Sequence, residues 1–319
     1  KYIAELCQNH LGKIKNIVQM VEKCAYHGAN IIKLQYILSK NLSHRTKFDF
    51  GLKNKKKQII IKRPYNLEYK RLKKLEISDS EIKKFIKICE KNNVKPAITC
   101  FARENINRLK DLGFEEIKIA SYDCGSYQLI RDVSKKFKNL IISTGATYDD
   151  EIQKTYEILK KNNKNFSFLH CVTIYPTPLK QLNLSRIEYL KKYTNSIGYS
   201  DHSSSQGKLK NIASKAAIYF GATIIERHIR LLGIENSKDG PVSIEPKDIE
   251  EVINFSKLSK SDQKNYLSEF DLDLNLIKGK KIRKLSDQEL LNRDYYRGRF
   301  VSFSKKTKRP IYNWDETTI

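Results

Sequence analysis

Eight short runs rich in β-branched and other apolar residues punctuate the chain: Tyr2–Leu6, Ile31–Gln35, Pro96–Phe101, Glu116–Ser121, Asn139–Ser143, Phe166–Cys171, Ser196–Asp201 and Thr223–His228. None alternates cleanly between apolar and polar, so each reads as a strand buried on both faces. Between them the apolar spacing becomes that of a helix. Ile14, Ile17, Val18, Val21 and Cys24 with Ala25 form one stripe. Ile82, Phe85, Ile86 and Cys89 form a second, opened by an N-cap at Ser78 or Ser80. Leu209, Ile212, Ala213, Ala216 and Ala217 form a third. Gly28, Gly113 and Gly221 stand where a helix C-cap precedes the next strand. Eight strand–helix units in about 255 residues predict an α/β chain closed into a (β/α)8 TIM barrel. An open doubly wound sheet is the alternative, but the segment Glu5 to Gly12 lacks the GxGxxG phosphate loop that such a sheet usually carries.

The remaining segments follow from this layout. Tyr36 to about Glu76 is long, basic and poorly periodic, and is expected as a loop covering the top of the barrel. Residues 1–255 are expected to make the barrel, which would be the catalytic part. Residues 256–294, charged and mostly polar, are expected as a linker with a partial helix, and Tyr295–Ser304 as a short β-like run in a partial domain spanning 295–319.

Lys and Arg total 61 against 36 Asp and Glu, a formal net charge of +25. That excess invites a nucleic-acid partner, but the basic residues are spread over nearly every helix and loop. The densest stretches, Lys53–Lys57 and Lys278–Lys284, lack interleaved aromatics and any helix-turn-helix or zinc-finger pattern. They read as a solvated surface, with attraction of small anions the secondary reading. No run approaches the roughly 18 apolar residues of a membrane span. Cys7, Cys24, Cys89, Cys100, Cys124 and Cys171 include no CxxC pair and are expected as reduced core residues of a cytoplasmic protein.

In a barrel, chemistry gathers at the C-terminal ends of the strands. Here those ends are polar nearly all the way round: Glu5, then Gln8, Asn9 and His10; Lys33 and Gln35; Lys118, Ser121 and Asp123; Ser143 and Thr144; His170, Thr173 and Tyr175; Ser200, Asp201 and His202; Glu226, Arg227 and His228. Lys33 and Lys118 interrupt apolar strands, and an ammonium there needs a carboxylate partner or an anionic ligand. Ser121, Ser143 and the Ser–Thr–Gly backbone could donate to the same anion, which points to a small phosphorylated substrate. His202 and His228 end adjacent strands, His202 directly after Asp201 and His228 two residues after Glu226. Both imidazoles could reach one divalent metal while leaving positions open for water and substrate.

Several strings, in order, resemble the sialic acid synthase family, the N-acetylneuraminate synthases and their legionaminate, pseudaminate and 9-phosphate relatives. They are AELCQNHLGK (Ala4–Lys13), IIKLQ (Ile31–Gln35), IKIASYD (Ile117–Asp123) with ISTG (Ile142–Gly145), LHCVTIYPTP (Leu169–Pro178), IGYSDH (Ile197–His202), and IIERHI (Ile224–Ile229) followed by DGPVSIEP (Asp239–Pro246). NRDYYRGRFVS (Asn292–Ser302) resembles the entry to that family's antifreeze-like C-terminal domain, which the resemblance leads one to expect as truncated at Ile319.

The resemblance implies condensation of phosphoenolpyruvate with an N-acetylmannosamine-type sugar, with Mn2+ or Mg2+ on His202 and His228 and phosphate lost by C–O cleavage. Lys33, Lys118, Ser121, Ser143 and Ser200 would hold phosphoenolpyruvate, with Thr173 on the phosphate side where Asn is common. Glu5, Gln35, Tyr175 and Asp239 would surround the sugar. Asp123 replaces a frequent Glu. Arg297 or Arg299 would reach the acyl group from a partner subunit of a homodimer, although Gly298 interrupts the basic pair. The resemblance also implies an insertion between His202 and His228. The competing expectations are another phosphoenolpyruvate-dependent 3-deoxy sugar-acid synthase, or a weakly catalytic barrel that binds anions or nucleic acid through its basic surface.

Overall fold

A computed structural model of the chain describes residues 1–51, 60–162, 164–304 and 306–319; the basic run Lys53–Lys57 lies outside the described residues. All eight expected strands form: β1 (Tyr2–Glu5), β2 (Ile31–Gln35), β3 (Lys95–Thr99), β4 (Glu116–Ile119), β5 (Asn139–Ser143), β6 (Asn165–His170), β7 (Ile197–Asp201) and β8 (Ile224–Ile229). Each pairs with its successor in parallel, and β1 pairs with β8, which closes the ring. A two-residue β9 (Ser243–Ile244) extends the pairing beyond β8. The chain is a (β/α)8 barrel.

The helices follow their stripes. Ile14–Tyr26 buries Ile17, Met20, Val21 and Cys24. Asp79–Lys91 opens with Ser78 as N-cap: its hydroxyl accepts from the Glu81 N–H, and the Glu81 carboxylate accepts from the Ser78 N–H. The third stripe is shorter than expected. Its helix begins at Ile212 and leaves Leu209 exposed, because Ile212–Ala217 is buried on every face and needs no flanking residue to complete an apolar side. Gly28, Gly113 and Gly221 adopt φ of 91°, 106° and 99°, the left-handed region that ends a helix without a Cβ clash.

Inside the ring, Ile3, Ile31, Ala97, Ile141, Leu169 and Ile224 form an apolar plug. Gly198 completes that layer by having no side chain, since a Cβ would stand 2.3 Å from Leu169 and 2.6 Å from the Ile224 carbonyl oxygen. Strand side chains alternate, so the residue two positions further on faces the interior one layer higher. At that step the interior changes from apolar to polar. The six plug residues are followed by Glu5, Lys33, Thr99, Ser143, Cys171 and Glu226, all buried.

The segment after β2 does cover the top, with more helix than expected. It includes helices Lys47–Phe50 and Tyr65–Lys73. Ile37, Leu42, Leu72 and Leu75 pack with Phe300 of the C-terminal part. The stretch expected as a linker carries helices Lys260–Ser268, Leu274–Lys278 and Asp287–Tyr296. Leu267 and Ile277 in it are buried, and it folds back on the barrel where Ser185 Oγ donates to the Lys278 and Gly279 carbonyls at 2.9 Å. The basic run Lys278–Lys284 is therefore partly a structural strap, with Arg283 paired to Glu289 at 2.6 Å. A hairpin of β10 (Ser302–Phe303) and β11 (Pro310–Ile311) follows. The tail after it is held by Arg103, which donates to the Asp315 and Thr317 carbonyls at 2.7 and 2.9 Å.

Candidate active site

A cavity of about 630 Å³ opens over the C-terminal ends of the strands. Twelve of the fourteen residues expected at the site line it: Glu5, Lys33, Gln35, Lys118, Ser121, Asp123, Ser143, Tyr175, Ser200, His202, His228 and Asp239.

Its floor is a buried network of two cations and two anions. The strand register sets Glu5 beside Lys33 on β2 and beside His228 on β8. Lys33 pairs with Glu5, donates to Thr99 Oγ1 at 3.1 Å and lies 3.7 Å from Glu226. Lys118 donates to both Glu226 oxygens at 2.8 and 2.7 Å, and Ser200 Oγ donates to one of them at 2.7 Å. Burial pushes the Lys33 amine down to about 7, with Glu226 opposing. Burial alone would raise the Glu226 carboxyl, but Lys118 and Lys33 hold it well below the usual carboxylate range. The lysines thus have carboxylate partners and also line the cavity.

Above this floor the His202 and His228 rings stand edge to face with centroids 5.3 Å apart, and the Tyr175 ring lies 4.3 Å from that of His202. Burial lowers His202 to about 4 and His228 well below its ordinary value, so both imidazoles are neutral at neutral pH. His202 Nδ1 faces the Val172 carbonyl at 3.2 Å, an arrangement that places the ring proton there and leaves Nε2 its lone pair. His228 Nδ1 is buried with no hydrogen-bond partner among the described residues. Two neutral imidazoles, one with an orphaned nitrogen, are the donor chemistry a divalent metal takes, and the residues fit one.

Asp123 sits at the cavity wall, accepting from Ser126 Oγ at 2.9 Å and Asn313 Nδ2 at 3.0 Å. Burial pushes its carboxyl up to about 6, against those two hydrogen bonds. Ser121 Oγ lies 3.0 Å from Cys171 Sγ.

Two expected residues are elsewhere. Thr173 is fully buried behind the cavity wall, where its carbonyl accepts from Asn292. Arg297 turns outward to Glu151 Oε1 at 3.1 Å and the Gly125 carbonyl at 3.4 Å. Gly298, at φ 78°, reverses the chain between the two arginines, and it is Arg299 that lines the cavity, paired with Glu68. Asp201 also differs from its apparent role beside His202. It faces out of the ring into a fully buried pair with Arg227 and accepts from Ser214 Oγ at 2.6 Å.

Sequence reasoning missed Thr99 and passed over Glu226 as a site residue. Both were legible as the second position above an inward apolar residue. It also assigned Cys7 to the core, whereas its Sγ lies 2.7 Å from Asp239 Oδ2 at the cavity rim. Glu68 and Arg71, from the covering segment, carried no periodic signal. Burial would raise the Glu68 carboxyl, but Arg71 and Arg299 bring it down to about 2.

Comparison with known proteins agrees with this geometry. The model of the NeuB family matches residues 20–264. The N,N'-diacetyllegionaminic acid synthase of Campylobacter jejuni is 30% identical over 282 residues, covering 82% of this chain and 80% of that protein. The human N-acetylneuraminate-9-phosphate synthase is 28% identical over 263 residues, 80% of this chain and 69% of that one. The crystal structure of the N-acetylneuraminic acid (sialic acid) synthetase of Leptospira borgpetersenii, in complex with citrate, aligns with a TM-score of 0.67 at 29% identity over 91% of this chain and 90% of that one. With a family match across most of the barrel, the chain belongs to the NeuB family, the enzymes of the sialic acid synthase type.

Proposed function

We propose that this chain condenses phosphoenolpyruvate with an open-chain N-acylated amino sugar of the mannosamine type, giving a nonulosonic acid and phosphate. The observation that carries this is the meeting, in one cavity, of the Lys33–Lys118 floor and the His202–His228 pair. Sialic-type synthases among its relatives support the same reaction class.

In this proposal Lys33 and Lys118 take the anionic groups of phosphoenolpyruvate, and Ser121, Ser143 and Ser200 donate to its oxygens. Glu5 and Glu226 hold the two ammonium groups in place. His202 and His228 would hold a divalent cation, Mn2+ or Mg2+, which would supply Lewis-acid polarisation of the sugar carbonyl. C3 of phosphoenolpyruvate forms the new bond to the aldehyde carbon, and the aldehyde oxygen takes up a proton. Water adds at C2, and the C2–O bond breaks to release phosphate and leave a ketone. Glu5, accepting from Gln35 Nε2 at 3.1 Å and from the Cys7 N–H at 3.0 Å, is held at the cavity floor, where it would position the sugar or move that proton.

Incubation with phosphoenolpyruvate, Mn2+ and a panel of 2-acetamido sugars, following phosphate release and product mass, tests the reaction and separates free from phosphorylated acceptors. Release with at least one sugar is expected; none with any sugar would contradict the proposal. Glu5→Gln should lower turnover by roughly a hundredfold or more, a far larger effect than the rise in the KM for phosphoenolpyruvate that follows from loss of the Lys33 partner. An unchanged rate would remove Glu5 from the mechanism.

A further inference from the structure

We propose that Cys7, Asp239 and His228 form a thiolate-containing divalent-cation site at the barrel rim, so that the metal of this chain carries a sulfur ligand. The inference rests on the proposal of a metal at His228 and goes beyond it by naming two further ligands. One donor atom each from Cys7, His228 and Asp239 lies within 4.8 Å of the others. Ligands at 2.0–2.3 Å from one ion stand about 3.3–3.8 Å apart, so small side-chain adjustments close the set. The orphaned, buried Nδ1 of His228 is an independent sign that the site lacks a partner.

The backbone at Cys7 is unusual. Its φ is 46°, a left-handed conformation that a side chain other than glycine's seldom adopts outside special sites. That conformation sets Sγ against Asp239 Oδ2 at 2.7 Å, and the Gln35 amide donates to the sulfur at 3.2 Å. Without a cation, the thiol proton bridges sulfur and carboxylate. On binding, the S–H bond breaks, a sulfur–metal bond forms, and the proton leaves to solvent. One thiolate and one carboxylate then neutralise a dication, His228 adds a neutral nitrogen beside that of His202, and any remaining position faces the cavity. A sulfur ligand shifts preference away from Mg2+ toward softer ions such as Co2+ and Zn2+.

The test is titration of the reduced, metal-free chain with Co2+, followed by absorption. The expected result is a near-ultraviolet thiolate-to-cobalt charge-transfer band that saturates at one equivalent. C7G suits a positive φ and should fold. It should lose the band and bind Co2+ more weakly by roughly tenfold or more, the scale on which even groups that only hydrogen-bond to metal ligands act. D239N should weaken binding while keeping the band. Cobalt bound without the band, or a band that survives in C7G, overturns the site. Phosphate release is assayed on the same preparations. Release without the band overturns the thiolate ligand alone, whereas the band without release with any sugar upholds the ligand and counts against the condensation.

Discussion

Lys33 is an ammonium held between two carboxylates in a buried floor, and its amine is pushed down to about 7. An anionic ligand stabilises the charged form, so binding is favoured where the lysine is already protonated. The kcat/KM for phosphoenolpyruvate should therefore be highest below pH 7 and fall about tenfold per unit above it. Lys33→Arg, which stays charged, should flatten that limb. An unchanged profile would exclude Lys33 from anion binding. Asp123 gives a separate prediction in stability. Its carboxyl is raised to about 6, so the folded state holds the proton more tightly than the unfolded chain. Between about pH 4 and 6 the folded state binds more protons, and this group's contribution to stability falls by about 3 kcal/mol as pH rises. Asp123→Asn should remove that part of the slope in denaturant unfolding. At this scale the polar strand ends were legible, because a charged group in an apolar run has few explanations. Which way each faced was not. Strands of a parallel barrel are buried on both sides, so Ser200 and Asp201, or Glu226 and Arg227, look alike until the register is known.

Strand β7 presents its two faces to different tasks. Ser200 enters the cavity floor, while Asp201 anchors the ring to helix Ile212–Tyr219 through Ser214 and to Arg227 of β8. Replacing Asp201 with Asn leaves the Arg227 guanidinium buried and uncompensated, which costs about 3–5 kcal/mol. Denaturant unfolding should show that loss, with the KM for phosphoenolpyruvate unchanged in the protein that remains folded. A changed KM with full stability would place Asp201 in the site. The eight strands could be found from composition because each is a short apolar run between helical stripes. The helices of 256–294 were harder to see. Helices Lys260–Ser268 and Leu274–Lys278 bury only Gln263, Leu267 and Ile277, too few apolar positions for a stripe to stand out among their polar residues.

Across the whole molecule, segments far apart in sequence build one roof. Leu42 bridges to Phe300, Asn313 reaches Asp123, and Arg299 and Glu68 meet at the cavity. Such contacts depend on long-range closure and are not readable from local pattern, which is why the sequence leaves Arg297 and Arg299 as alternatives and only the turn at Gly298 separates them. Among the described residues no helix is long and apolar enough to cross a membrane. The central claim is that this cavity joins the two substrates and expels phosphate by breaking the C2–O bond. Its most direct test uses phosphoenolpyruvate carrying a heavy oxygen isotope in the bridging position, an accepted 2-acetamido sugar and Mn2+, with mass analysis of both products. The account predicts that the label leaves entirely with phosphate; label retained in the sugar acid, or no condensation product at all, would contradict it.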